Sequence, residues 1–181
     1  MGLFDLFKSK KSDYDVTNMK ITDLKKGFVF EYDLKTWVVD EAYKYDWGDE
    51  FFSHEFKIKS DTETMFLSVE EDDALEVSVS EKIQIRKLHE DLPELLADEN
   101  PPKSIDFEGN TYYLDEEAPG FFCNVTNGAN NWVEFIAWDY IDEKEEKIIT
   151  LEQWGEKEFD ASIGKIIRPA EVSNIIPASN V

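Results

Sequence analysis

The sequence has very little cysteine and histidine, and this scarcity excludes several kinds of site. Cys123 is the single cysteine among 181 residues, so no intramolecular disulfide and no zinc site built from cysteines can form. The two histidines, His54 and His89, do not have a metal-ligand spacing such as His-x-x-x-His. We therefore expect no metal site and no cofactor.

Long hydrophobic runs are also missing. No run approaches the roughly 20 apolar residues that a membrane-spanning helix needs. The N-terminus has neither the apolar region nor the small-residue cleavage site of a signal peptide. These absences predict a cytoplasmic protein.

Basic residues are outnumbered by acidic ones, 19 against 41, which gives a formal net charge of −22. Such a charge repels phosphate groups, so we expect no binding to nucleic acid. It favours cationic partners, which include basic protein surfaces, polyamines and divalent cations. The alternative is that the acidity only keeps an aromatic-rich protein soluble.

What the sequence does contain is an abundance of β-type patterns. Residues 132–154 place two aromatic and β-branched runs on either side of six charged residues, which predicts a long hairpin. Between residues 21 and 88, apolar and polar residues alternate in short runs separated by polar turns. We predict an all-β, mainly antiparallel fold of two tandem meander-like or barrel-like units, with one short helix between them.

The predicted organisation has five parts. They are an N-terminal tail (1–20), a first β unit (21–89), a short helix and linker (90–104), a second β unit (105–177) and a C-terminal tail (178–181). Pro119-Gly120 predicts a turn within the second unit. Pro169 predicts one closing turn of helix.

The two units resemble each other in sequence, which predicts an internal duplication. Residues 30–41 align without gaps with residues 105–116, and residues 56–70 align with residues 138–152. The second alignment places Glu70 opposite Glu152, each at the end of an apolar run. These two acids could form a pseudo-symmetric cation-binding pair, or they could serve only the solubility of an edge strand.

Several motifs resemble an uncharacterised bacterial domain-of-unknown-function family, whose members are often encoded near genes of the phage-shock-protein A type and of polyamine metabolism. The similar segments are Phe107-Glu-Gly-Asn-Thr-Tyr-Tyr-Leu and residues 138–143, 151–155, 159–164 and 167–172. The similarity is looser in the first unit and covers most of residues 20–177. The resemblance implies a fold and supplies no catalytic residue.

Nothing in the sequence points to catalysis. Phosphate-binding loops, nucleophile elbows and dinucleotide-binding fingerprints do not occur. Cys123 follows two phenylalanines and is expected to be buried and unreactive. The acidic run at residues 70–73 lacks the spacing of an EF-hand calcium loop, so we interpret it as a solvated turn. We expect no enzyme; an enzyme would require a cleft that holds acids with strongly perturbed pKa values.

Aromatic residues at loop–strand boundaries are the candidate binding residues. We predict a partner-binding surface made of Trp47, Phe121, Phe122, Asn130, Asn131 and Trp132. The favoured function is a non-enzymatic protein-interaction module with a partner of basic character, and envelope stress is the process that the resemblance suggests. The alternative is a protein that binds a small ligand or cation, such as a polyamine or a divalent metal.

Residues 1–11 form a second candidate docking element, because their Leu and Phe residues could cover one side of a short helix. Contact of this segment with a membrane is the weaker alternative, since so short a segment buries too little apolar surface.

Overall fold

A computed structural model describes residues 19–178. The segment 1–11, predicted to dock on a partner or a membrane, lies outside the described residues. The strands are β1 (Val29–Tyr32), β2 (Lys35–Gly48), β3 (Phe51–Lys59), β4 (Thr64–Glu71), β5 (Leu75–Ile83), β6 (Ser104–Phe107), β7 (Asn110–Asn124), β8 (Val133–Asp142), β9 (Lys147–Gly155), β10 (Glu158–Ile167) and β11 (Ser173–Ile176). The helices are α1 (Ile85–Leu88) and α2 (Leu92–Ala97), and two 3-10 turns span Ile21–Asp23 and Pro169–Glu171.

The predicted all-β, mainly antiparallel fold is confirmed. All the strands join one 11-stranded sheet in the order β11-β1-β2-β3-β4-β5-β10-β9-β8-β7-β6. The linker between the units contains two short helices where one was predicted. The alternating pattern predicted strands between residues 21 and 88, but the strands end at Ile83. Leu88 then enters the core together with Leu92 and Leu96. Within residues 19–178, no helix is long and apolar enough to cross a membrane.

The same five-strand order occurs twice along the chain. Strands β1 to β5 pair each with the next, and so do strands β6 to β10. The first hairpin of each half turns at two positive-φ residues, Asp33-Leu34 in one and Glu108-Gly109 in the other. Both long second strands carry a β-bulge in their first half, at Asp40 and at Asp115.

One turn differs between the halves and corrects the sequence alignment. Lys59 pairs with Thr64 across the β3–β4 turn, whereas Ile141 pairs with Ile148 across the β8–β9 turn, which is therefore two residues longer. Because strand faces repeat every two residues, this insertion keeps the core side chains on the same face. It moves Glu152 to the ladder position that corresponds to Ser68, so Glu70 and Glu152 are not equivalent as the ungapped alignment had them.

Two pairings between the halves close the sheet on itself. Strand β5 pairs with β10 over seven residue pairs, from Ile83↔Ala161 to Val77↔Ile167. Strand β2 pairs with β7 from Tyr43↔Asn124 to Asp46↔Phe121. The strands β2, β3, β4, β5, β10, β9, β8 and β7 therefore form a closed circuit.

Each half keeps its own apolar core on one face of its strands. The first core is centred on Phe30, Trp37 and Ile58, and also takes in Ile167 and Val172 from the end of the chain. The second core is centred on Tyr112, Tyr140 and the helical leucines. The other face of these strands, which is not part of either core, points into the space that the closed circuit surrounds.

Two further predictions are corrected. The turn predicted at Pro119-Gly120 does not exist, because β7 continues through both residues. Pro119 is tolerated there since β7 has a neighbour, β8, on one side only at that position. Gly120 leaves room for Trp47, whose ring would lie 2.9 Å from a Cβ atom added at this glycine. At the C-terminus the turn at Pro169 is confirmed, but the chain then forms β11, which pairs with β1 and leaves Ile176 exposed.

Candidate functional site

The space enclosed by the closed circuit contains a cavity of about 220 Å³. Side chains from all eight strands of the circuit line it. Pockets for drug-sized ligands usually measure roughly 300–1,000 Å³. The cavity therefore suits a small ligand.

The cavity is polar because of the alternation of side chains along each strand. In β4, Leu67 and Val69 enter the first core while Phe66, Ser68 and Glu70 face the cavity. In β9, Ile149 and Leu151 enter the second core, while Ile148, Thr150 and Glu152 face the cavity. These strands thus have an apolar face that packs in a core and a polar face that lines the cavity.

Acidic groups dominate the cavity lining. One basic side chain, Lys82, lies among the lining residues, together with His54. The acidic lining residues are Glu55, Glu70, Glu76, Asp115, Glu116, Asp139 and Glu152. The cavity therefore has a strong excess of carboxylates over cations.

Glu55 lies at the centre of the lining and is held by two hydroxyl groups. The Tyr45 hydroxyl donates a hydrogen bond to Glu55 Oε1 at 3.0 Å, and the Ser68 hydroxyl donates to Glu55 Oε2 at 3.2 Å. Burial, aided by the nearby Glu152 carboxylate, raises the pKa of Glu55 to about 7. The geometry therefore fixes a carboxyl group that changes its charge near neutral pH.

Asp139 is the second carboxylate with a raised pKa. The Thr150 hydroxyl donates to Asp139 Oδ1 at 2.5 Å. Burial, together with the carboxylates of Glu116 and Glu152, raises the pKa of Asp139 to about 6. Asp139 takes part in no ion pair among residues 19–178.

Glu70 also lines the cavity and is half-buried. Its pKa is raised by burial and by the carboxylates of Glu76, Glu116 and Asp139. It also has no ion-pair partner within the described part of the chain. Like-charged groups that crowd together in this way favour the arrival of a cation.

Lys82 already supplies one ammonium group to the cavity. Its Nζ lies 2.9 Å from Glu152 Oε2 and 3.5 Å from Asp160 Oδ2, and 5.5 Å from the centre of the Phe66 ring. The Glu152 side chain is 9% exposed and the Lys82 side chain 42%, so the pair joins a buried carboxylate to a partly exposed ammonium group. Burial favours the neutral amine, but the carboxylates prevail and raise the pKa of Lys82.

Aromatic rings also belong to the cavity lining, at Tyr45, Trp47 and Phe135. Tyr45 stacks on Trp47 with ring centres 5.7 Å apart, and Phe135 stacks on Trp154 at 4.8 Å. The Trp47 indole donates to the Ser53 hydroxyl at 2.8 Å. The lining therefore offers apolar contact and ring faces as well as carboxylates.

The predicted partner-binding residues divide between this aromatic cluster and the surface. Trp47 and Phe122 pack in the cluster with Tyr45 and Phe135. Phe121, Asn130 and Asn131 are exposed, and the indole of the partly buried Trp132 donates to Asn130 Oδ1 at 2.8 Å. The six residues thus lie near the paired ends of β2 and β7 and in the loop before β8. Two of them pack in the aromatic cluster, and the others lie at or near the surface.

Cys123 and His54 are the other residues considered in the sequence. Cys123 is buried, as predicted, with its thiol 3.6 Å from the Ala129 carbonyl oxygen. His54 is exposed and belongs to the lining of the cavity. Among residues 19–178, no three His, Cys, Asp or Glu side chains are arranged to hold a metal ion.

The carboxylates of the cavity were missed by the sequence reasoning, apart from Glu70 and Glu152. Glu55 and Asp139 alternate with core residues and so resemble the solvent-facing half of an ordinary strand. One feature of the sequence could have revealed this covered face. Serine residues occur at the cavity-facing positions of several strands: Ser53, Ser68, Ser78, Ser80 and Ser162. Small neutral side chains at such positions are typical of a face that is covered by other strands.

Comparison with known proteins identifies relatives but no characterised one. The chain is 28% identical over 171 residues to an uncharacterized protein of Aquifex aeolicus (strain VF5), and the match covers 94% of this chain and 92% of the relative. No solved structure matches. The family model described as "Domain of unknown function (DUF4178)" matches residues 25–169. The predicted membership in an uncharacterised domain family is confirmed, and the chain belongs to the DUF4178 family.

Proposed function

We propose that the protein is a cytoplasmic, non-enzymatic binder of a small organic cation, and that an aliphatic amine occupies the cavity between its two halves. The observation that carries the proposal is the lining of a partly open cavity by seven acidic residues and one lysine. A cleft lined mainly by one sign of charge concentrates its field on whatever enters it.

The electrostatics of Asp139 and Glu70 support an ammonium group as the ligand's head. Both carboxylates are destabilised by burial and by neighbouring carboxylates, and neither has an ion-pair partner in the described structure. An ammonium group placed between them relieves this repulsion and can donate three hydrogen bonds. The ion pair of Lys82 with Glu152 supports the same reading, since the cavity already accommodates one primary ammonium group.

The aromatic residues of the lining support an organic rather than a metallic cation. The stacked rings of Tyr45, Trp47 and Phe135 offer surface to methylene groups and faces to a cation. A divalent metal would instead need several converging oxygen ligands at short distances. An alkylamine can place its ammonium group among the carboxylates and its methylene groups against the aromatic rings.

The test is isothermal titration calorimetry of the full chain with 1-aminobutane at pH 8, where the carboxylates are ionised. We expect saturable binding, which is weakened at least tenfold by Asp139→Asn and by Glu70→Gln. The matched control is Asp61→Asn, which removes the same charge from an exposed turn and should change the affinity less than threefold. If all three variants weakened the affinity equally, only the net charge of the protein would matter, and the proposal would be wrong.

A second measurement checks the non-enzymatic part. A carboxyl group with a pKa of about 7 in a cavity, as for Glu55, could also transfer a proton during a reaction. We expect the amine to be recovered unchanged after prolonged incubation with the protein, as followed by NMR. A new product that forms with the intact protein and not with Glu55→Gln would contradict non-enzymatic binding.

The second candidate function is the binding of a basic protein partner, favoured by the exposed apolar residues near the β7–β8 loop. Phe121 and Val133 are 47% and 40% exposed and belong to neighbouring strands. Proteins of the envelope-stress response are the partner class that the family resemblance suggests. Affinity capture with the full chain should then lose the partner in Phe121→Ser but not in Val38→Ser, a comparably exposed position on β2.

A further inference from the structure

Among residues 19–178, Lys82 is the one lysine that lines the acidic cavity, and its side chain is partly exposed. Its Nζ pairs with Glu152 at 2.9 Å and with Asp160 at 3.5 Å. Glu152 is buried, whereas Asp160 lies at the exposed rim of the same strand pair. Lys82 therefore fills a position where the cavity would otherwise present an unpaired buried carboxylate to a ligand.

The neighbouring cation position is close to this one. Lys82 pairs with Ser162, Ser162 pairs with Thr150, and Thr150 pairs with Asp139 across four successive strands. Glu152 lies two residues beyond Thr150 on β9, which makes it the diagonal neighbour of Asp139. Diagonal neighbours on one sheet face are roughly 7–8 Å apart.

We infer that Lys82 determines the charge selectivity of the cavity by filling one of two adjacent cation positions, at Glu152, and leaving the other, at Asp139, for the ligand. This inference rests on the proposed amine-binding function and deepens it. A ligand with one ammonium group can use Asp139 directly. A diamine can bridge Asp139 and Glu152 only when the lysine is absent.

The alternative is that Lys82 acts only through its charge and lowers the affinity for amines without filling a position. The two explanations differ in how the ratio of affinities for 1,4-diaminobutane and 1-aminobutane depends on which lysine is removed. Filling of a position affects the second ammonium group of the diamine, so only removal of Lys82 changes the ratio. A general charge effect acts on both charges of the diamine, so removal of another lysine would change the ratio as well.

The experiment is calorimetry with both amines at pH 8, on the full chain and on Lys82→Met. We expect the diamine-to-monoamine affinity ratio to rise about tenfold in Lys82→Met. Lys59→Met is the matched control, since Lys59 is paired with Asp40 at 2.7 Å away from the cavity lining; its ratio should stay within threefold of the unaltered chain. The double variant Lys82→Met/Glu152→Gln should return to the ratio of the unaltered chain, because the released carboxylate is gone.

The single variant Glu152→Gln is a second test of the inference. Unlike Lys82→Met, it does not leave a buried carboxylate without a partner in the folded protein. The freed Lys82 ammonium can then turn to Asp139 and compete with the ligand, so the affinity for 1-aminobutane should fall about tenfold. An unchanged ratio in Lys82→Met, or unchanged monoamine affinity in Glu152→Gln, overturns the inference. Absence of binding of either amine to the unaltered chain instead overturns the proposed function itself.

Discussion

Replacement of Glu55 by glutamine tests how the cavity affects stability. The folded protein raises the pKa of this carboxyl group from an ordinary value of 4.5 to about 7, chiefly because the group is buried. At 1.36 kcal/mol per pKa unit, ionisation of Glu55 costs the folded state about 3 kcal/mol. Glutamine has nearly the same shape and carries no charge, and its amide can keep the hydrogen bonds with Tyr45 and Ser68.

The sign of the pH dependence follows from the raised pKa. Below about pH 4.5, Glu55 is protonated in both the folded and the unfolded chain and contributes no penalty. The penalty grows as the pH rises from 4.5 and is complete above about pH 7. We therefore expect Glu55→Gln to be more stable than the unaltered chain by about 3 kcal/mol at pH 8 and nearly equal to it at pH 4.5.

The measurement is urea unfolding followed by tryptophan fluorescence at pH 4.5, 6, 7 and 8, with circular dichroism to check the fold. Acids far from Glu55 titrate alike in both chains, so the difference between the two unfolding free energies reports the charge of Glu55 together with its interaction with Glu152 and Lys82. Glu81→Gln, at an exposed position on β5, should differ from the unaltered chain by less than about 0.5 kcal/mol at every pH. A Glu55→Gln difference that does not change between pH 4.5 and pH 8 would refute the burial of an ionisable carboxyl group in the cavity.

Three further predictions concern the framework of the sheet, and all are measured by urea unfolding. Gly164→Ala should cost about 1–3 kcal/mol, because its Cβ would lie 2.2 Å from the Val79 carbonyl oxygen at the seam between β5 and β10. Gly155→Ala, whose Cβ would meet nothing within 4 Å, is its control. Leu34→Gly should stabilise the protein by about 0.5–1 kcal/mol, because Leu34 is fully exposed at a φ of 59° that costs an L-residue about 1–2 kcal/mol. Asp142→Ala should destabilise by about 1–3 kcal/mol, since Asp142 Oδ1 accepts two backbone N–H groups of the β8–β9 turn at 2.8 and 2.9 Å.

Local sequence patterns were enough to predict the strands and their core faces. Phe56 and Ile58 alternate with lysines, and Val77 and Val79 alternate with serines, and the apolar member of each pair is buried. The patterns failed where tertiary context decides the outcome. Pro119-Gly120 has turn chemistry, yet both residues continue a strand because one side of β7 is unpaired there and the Trp47 ring needs the space above Gly120.

The candidate site could not be predicted, because it depends on two pairings between distant parts of the chain. Glu55 and Asp139 alternate with core residues as solvent-facing acids do. They face inward only because β2 pairs with β7 and β5 pairs with β10, and no local pattern encodes either pairing. The ungapped alignment of Glu70 with Glu152 failed for a related reason, since a turn longer by two residues preserves the hydrophobic pattern while it shifts the polar positions.

The pairing of β11 with β1 has a consequence for synthesis of the protein on the ribosome. The first strand of the sheet acquires its outer neighbour from residues 173–176, and the first core takes in Ile167 and Val172. Folding from the N-terminus, domain by domain, is the usual course for chains with two units. Here the half made first cannot be completed until residues 167–176 have left the ribosome, so the second half is synthesised beside an incomplete first half.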